Sequence, residues 1–149
     1  AWLESSTEFL SIWHGKDVVV QPVLRLAAGA NPLVTFYIPS ESQEHWFAGI
    51  GTSVWRFPEK QSTTLPGLAP GETIISLAGN VDYTETVLFA STGKRLFQSM
   101  DGFTWKASMD FEPEMAMSIA VSLGYAADRT VFVMAPGGKL YRVITLPLP

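Results

Sequence analysis

The stretch QSMDGFTWKAS, residues 98–108, gathers Ser99, Asp101, Gly102 and Trp105 into seven positions. These residue types occur in active sites, and they also build tight turns. An Asp side chain accepts hydrogen bonds from backbone N–H groups of its own turn. Gly adopts backbone conformations that cost other residues more. A Trp laid over such a turn buries a large apolar area. The place of the stretch in the chain decides between the two readings.

On either side the chain is punctuated by ten prolines and twelve glycines, and the runs between them are rich in Val, Ile, Phe, Tyr, Trp and Thr. This is strand composition with turn signals. Only 112–120 has the Met and Ala content of a helix, and Pro113, Ile119 and Val121 favour a strand there.

Three stretches repeat one plan: HWFAGIGTSVWRF from His45, TVLFASTGKRLFQS from Thr86 and TVFVMAPGGKLYRV from Thr130. Each is an apolar-aromatic strand, a small Gly-containing turn and a second strand. Phe47, Phe89 and Phe132 recur at intervals of 42 and 43, and Trp55, Phe97 and Tyr141 at 42 and 44. Upstream of each pair lies another strand-like run, LVTFYIP from Leu33, TIISLAG from Thr73 and MSIAVSL from Met117. Four short strands per unit of about 40 to 50 residues predict β-propeller blades, against an evenly spaced β-sandwich. The expected fold is all-β, one domain of four-stranded antiparallel repeats of about 42 residues. Its units are 33–72, 73–116 and 117–149, with 1–32 as a partial blade or a closing strand.

SMDGFTW resembles the Asp-box, or BNR repeat, whose pattern is Ser/Thr-x-Asp-Gly-x-x-Trp. GYAADRTVFV, residues 124–133, is similar to a segment of bacterial BNR-repeat propellers, and DYTETVLFAS from Asp82 is a weaker counterpart. The resemblance, to sialidase-like and photosystem-assembly-factor-like propellers and more distantly to WD40/YVTN-like repeats, covers roughly residues 33–145. One Asp-box is intact. FPEKQST after Arg56 and RVITLPLP after Tyr141 have lost it, and STEFLSIW, Ser6 to Trp13, keeps a Ser and a Trp and is read as coincidence or decay. The resemblance implies that the Asp-box is structural, set between the third and fourth strands on the face away from the usual binding site.

With 149 residues and 47% apolar content the chain can bury one sizeable core. A net charge of −4 argues against nucleic-acid binding, which needs a basic face, and no apolar run reaches the ~18 to 20 residues of a spanning helix. The absence of cysteine excludes disulfides, thiolate catalysis and Cys-based zinc sites and leaves the compartment open between cytoplasm and export. The chain begins with Ala1 and shows no signal peptide, which reads as a processed product or a piece of a longer chain.

Chemistry is sparse. A sialidase-like site needs several arginines converging on a carboxylate, with a Tyr nucleophile and a carboxylate partner. Of Arg25, Arg56, Arg95, Arg129 and Arg142, two sit on equivalent strands (Arg56 and Arg142) and read as repeated blade surface. Arg129 reads as serving its own turn. The carboxylates fall mostly in turn-like segments, and DFEPE, 110–114, lacks the alternating spacing of a calcium loop. His14 and His45 have no second ligand at zinc spacing, and GIGTS and PGGKL are hairpin turns. No catalytic residue, metal or cofactor is assigned.

On the propeller reading, loops opposite the Asp-box turn carry function. They hold Thr52, Ser53, Lys94, Arg95 and Lys139, with Glu72 and Asp110 in the connections between blades. Three to four units fall short of a comfortable ring, so the expected role is non-catalytic binding or scaffolding of protein, with association to a second copy or a larger propeller. The alternative is a carbohydrate-binding or sialidase-like propeller. Neither nucleic acid nor membrane insertion is expected.

Overall fold

Apolar residues on both faces of a short strand require cover on both sides, and LFAS and RLFQS in the middle of the chain have that character. The computed structural model describes residues 2–5, 9–14, 19–25 and 34–38 as backbone strands, and 45–80, 86–111 and 116–148 with their side chains. The protein is mostly β, in antiparallel meanders, with no sheet closed on itself.

The first sheet joins β1 (Trp2–Ser5), β2 (Phe9–His14) and β3 (Val19–Arg25). The second orders β4 (Val34–Ile38), β5 (His45–Ile50), β6 (Ser53–Phe57) and β7 (Gln61–Thr64) side by side in chain order. The third does the same with β8 (Ser76–Gly79), β9 (Leu88–Ser91), β10 (Arg95–Ser99) and β11 (Lys106–Asp110). The fourth has β12 (Ser118–Val121), β13 (Thr130–Ala135) and β14 (Lys139–Ile144). The second and third sheets have the four antiparallel strands expected of a unit, the sheet at 118–144 has three among the described residues, and 118–121 is a strand. One helical turn, α1 (Tyr125–Asp128), departs from the plan; it opens after Gly124 in the β12–β13 connection.

Trp13 in β2 precedes Trp55 in β6 by 42 residues. By that spacing β1–β3 match the second to fourth strands of a unit. Those strands pair among themselves, and β14 pairs with β13.

Register shows how the sheets stack. Phe47 pairs with Arg56 and Gly49 with Val54; Phe89 pairs with Gln98 and Ser91 with Leu96; Phe132 pairs with Arg142 and Met134 with Leu140. Each set marks the forward face of its sheet, the one toward the next unit in chain order. Phe47 and Val54 pack with Leu88, Ala90, Phe97 and Trp105 between the second and third sheets. Phe89 and Leu96 pack with Tyr125, Ile119, Val131 and Val133 between the third and fourth. Because neighbouring residues point to opposite faces of a strand, Leu88 and Phe89 serve different cores, and β9 is buried throughout. The first strands also neighbour one another, with β8 beside both β4 and β12.

Tyr125 locks the second seam. It is fully buried, its ring meets Phe89 edge-on at 5.5 Å, and its hydroxyl shares a 2.5 Å hydrogen bond with Thr145 Oγ1. Phe89→Ala removes the ring on which that seam closes. Urea unfolding should show a loss of about 3–5 kcal/mol, the range for deleting a buried Phe.

Candidate functional site

The turn 99–105 joins β10 to β11, the third strand of its sheet to the fourth. Two side chains satisfy it. Ser99 Oγ accepts from the N–H groups of Asp101 (3.3 Å) and Gly102 (2.9 Å) and donates to Asp101 Oδ1 (3.0 Å). Asp101 Oδ1 also accepts from the N–H groups of Phe103 (2.8 Å) and Thr104 (2.6 Å), and Oδ2 accepts from Thr104 Oγ1 (2.9 Å). Trp105 covers the turn, nearly buried, and its Nε1 donates to the Gly102 carbonyl at 3.1 Å. Partial burial disfavours the Asp101 charge, but the hydrogen bonds from Thr104, Phe103 and Ser99 outweigh it and bring its pKa from 3.8 down to about 2. Both carboxylate oxygens are engaged within the turn.

The turn also docks onto the preceding sheet. Gly102 has φ of +77°, and a Cβ built there would lie 2.5 Å from Phe47 Cε1. Only Gly meets both the conformation and the approach. Arg56 Nη1 donates to the Asp101 carbonyl at 2.7 Å, and its guanidinium lies 4.6 Å from the centre of the Phe103 ring. Glu59 holds Arg56 from the other side at 3.2 Å, and His45 Nδ1 stands 3.4 Å from Arg56 Nη2. Arg56 is therefore not blade surface, as its strand position suggests; it anchors one sheet to the next. Its register beside Phe47 is the sequence signal of that role.

The residues expected at a ligand face divide. Glu72, Arg95 and Asp110 come together. Glu72 is buried in the connection between sheets; Oε2 accepts from the Ala69 N–H at 2.9 Å and Oε1 from Thr92 Oγ1 at 2.5 Å. Arg95 Nε lies 3.8 Å from Glu72 Oε1 and 3.7 Å from Asp110 Oδ1, and its Nη1 donates to the Gly67 carbonyl at 2.6 Å. Burial raises the Glu72 pKa, but hydrogen bonds from Thr92 and Ala69 and the charges of Arg95 and Lys94 carry it below the usual value. The cluster clamps the connection 65–75 onto the β9–β10 hairpin, so Glu72 is a buried clasp and not a charge displayed on a loop. Asp110 is the last residue of β11, not part of a connection. Lys94 backs this cluster from the hairpin, where its carbonyl accepts from the Phe111 N–H at 2.6 Å.

Ser53 opens β6 and shares a 3.0 Å bond with Thr64 Oγ1, and the exposed Thr52 gives its carbonyl to the Leu65 N–H. Lys139 stands exposed at the equivalent hairpin of the fourth sheet, outside the Glu72 network. Glu41, Glu44, Asp82, Glu85, Glu112, Glu114 and Ser6 lie outside the described residues, and so does most of DFEPE.

Arg56, Arg95, Arg129 and Arg142 do not converge. Arg56 binds the turn at Asp101 and Arg95 the Glu72 clasp. Arg129 lies 5.5 Å over the Tyr125 ring, and Arg142 Nε donates to Thr130 Oγ1 at 3.2 Å. Arg129 also ends α1, its N–H and carbonyl bonded to Tyr125 and Thr145, so it serves its turn as expected. In the same turn Asp128 accepts from Ser122 Oγ at 2.6 Å and the Thr130 N–H at 2.9 Å, and these bonds lower its pKa. A depression of about 210 Å³ lies beside the 99–105 turn, lined by Met100, Asp101, Thr104, Lys106 and Leu148. Among the described residues no group of three or more His, Asp or Glu side chains is placed to hold a metal, and no helix is long and apolar enough to cross a membrane.

No protein-family model matches the chain, and no curated protein matches it.

Asp101→Asn tests the turn. Folding depresses the carboxyl from 3.8 to about 2, so the ionised group stabilises the fold above pH 4 and that contribution is lost as pH falls through 2. The stability gap between the two proteins should be full at neutral pH and close between pH 4 and pH 2 in urea titrations. Asp101→Ala should cost about 1–2 kcal/mol at pH 7, the range for losing a side chain that caps exposed backbone donors.

Proposed function

We propose that the chain is a run of β-propeller blades of the Asp-box type and that it works as a non-catalytic binding or scaffold protein, associating with protein through its repeat surfaces. The supporting observation is the arrangement of three successive meanders. Their first strands are neighbours, and the middle sheet is covered on both faces by the sheets before and after it. Propellers are built from sheets packed face to face in that way. The Ser-x-Asp-Gly-x-x-Trp turn lies between third and fourth strands, as the resemblance implies.

Among the described residues, several side chains of catalytic type are engaged in architecture. Asp101 closes a turn, Glu72 and Arg95 clasp a connection, and Tyr125 holds a seam. A carbohydrate-active propeller would need arginines gathered about one pocket beside a Tyr–carboxylate pair. Arg56, Arg95, Arg129 and Arg142 are each tied to a different structural partner.

Three measurements on the purified chain test this reading. A fluorogenic sialoside should stay unhydrolysed, a glycan array should stay blank, and light scattering should give a mass above that of one 16.3 kDa chain. Sugar turnover, tight glycan binding or a strictly monomeric chain would overturn it.

A further inference from the structure

Asp101 is the only Asp or Asn of the chain that Gly follows. Such a pair has a chemistry of its own. The backbone nitrogen of the second residue attacks the side-chain carboxyl of the first and closes a five-membered succinimide ring. Gly in second place removes the Cβ that hinders the approach. The bond that forms joins Gly102 N to Asp101 Cγ, and the bond that breaks is Cγ–O. The hydroxyl of the protonated carboxyl leaves with the amide proton as water. Water then opens the ring at either carbonyl. One opening restores Asp; the other gives isoaspartate, whose main chain runs through Cγ. Nothing is oxidised or reduced, and water is the only co-reactant.

The geometry of the turn opposes the first step. Attack needs the peptide unit 101–102 and the carboxyl free to turn toward each other. Both ends of that peptide unit are held. Its carbonyl accepts from Arg56 Nη1 at 2.7 Å, and its N–H donates to Ser99 Oγ at 2.9 Å. Gly102 is buried against the Phe47 ring, with no room for a Cβ. The carboxyl is held separately, by the N–H groups of Phe103 and Thr104 and by the Thr104 hydroxyl. Despite partial burial, the bonds from Thr104, Phe103 and Ser99 keep it ionised, with a pKa of about 2 in place of 3.8. An ionised carboxylate lacks the hydroxyl leaving group, and this shift cuts the neutral fraction by more than about tenfold above pH 4. Water has access, because Asp101 is exposed and borders the depression at Met100 and Lys106. The restraint is one of orientation, and part of it comes from another sheet. Arg56 belongs to β6, and it reaches the Asp101 carbonyl only while the second and third sheets are stacked.

We propose that Asp101–Gly102 is a site of spontaneous isoaspartate formation that the contact between the second and third sheets keeps closed, so that a chain whose sheets part at this seam is altered irreversibly. Isoaspartate inserts a methylene into the main chain of the turn. It also removes the side-chain carboxylate that accepts from Phe103 and Thr104. Gly102 is then displaced from Phe47, Arg56 loses its carbonyl, and the seam does not close again. The turn thereby marks chains that have opened and withdraws them from the stacked population. The inference concerns the joint between two sheets and stands apart from what the protein binds.

Peptide mapping of the full-length protein, aged at neutral pH and body temperature, is the test. Cleavage after Arg95 and Lys106 releases residues 96–106, in which Asp101 is the single Asp. The isoaspartyl form has the same mass, elutes separately and resists a protease that cuts before Asp. A synthetic peptide of residues 96–106 gives the unrestrained rate. The folded wild type should convert at least about tenfold more slowly than this peptide. Arg56→Gln should keep the wild-type far-ultraviolet circular dichroism spectrum and convert about tenfold faster than wild type, the effect of losing one hydrogen bond from a charged donor. Ser99→Ala frees the other end of the same peptide unit and should accelerate conversion in the same way. Phe89→Leu weakens the other seam and should leave the rate unchanged.

A folded wild type that converts as fast as the peptide would overturn the proposal. So would an Arg56→Gln protein that keeps both its fold and the wild-type rate. Equal acceleration by Phe89→Leu and Arg56→Gln would overturn the assignment of the gate to this seam. If Arg56→Gln does not fold, Ser99→Ala and the comparison of wild type with peptide decide.

Discussion

The approach of Gly102 to Phe47 constrains the seam between the second and third sheets. The turn must pass close enough to the ring that no side chain fits, at a positive φ that Gly accepts without strain. That closeness puts the Asp101 carbonyl within reach of Arg56 and lets Trp105 seal the apolar layer formed by Phe47, Val54, Leu88 and Phe97. Ser99 and Asp101 supply the acceptors that keep the turn's backbone N–H groups satisfied. Polar turn chemistry and apolar packing are thus fulfilled by one local structure.

Stacked sheets explain how the middle of the protein holds together. A strand such as Leu88–Ser91 is apolar on both faces and is satisfied only between two other sheets. On the fourth sheet the corresponding face carries Met134, Leu140 and Ile144, which are exposed. Connections are fastened separately. Glu72 is held by Thr92, the Ala69 N–H and Arg95, and Asp128 by Ser122 and Thr130, so carboxylates at sheet edges act as backbone and hairpin clasps.

Much of the fold is legible in the amino-acid sequence. The spacing of Phe47, Phe89 and Phe132 at 42 and 43 residues locates three hairpins and their leading strands, because strand alternation and turn chemistry are local properties of sequence. The candidate site is less legible. Arg56 and Asp101 are 45 residues apart, and their contact exists only once two sheets are stacked. Glu72 reads as a loop charge because sequence does not show that Thr92 and Arg95 fold over it.

The sequence alone determined the strand plan, the Gly-dependent turn at 99–105 and the unit length, since each follows from backbone preferences and the period of apolar residues along one segment. Tertiary structure decided which side of each sheet is covered, which arginines bind protein backbone and which face stays open. Those outcomes depend on distances between segments some 40 residues apart, and they are set when apolar layers close over one another. QSMDGFTWKAS combines both kinds of information: its residues specify the turn, and its seat against Phe47 and Arg56 makes it the joint between two sheets.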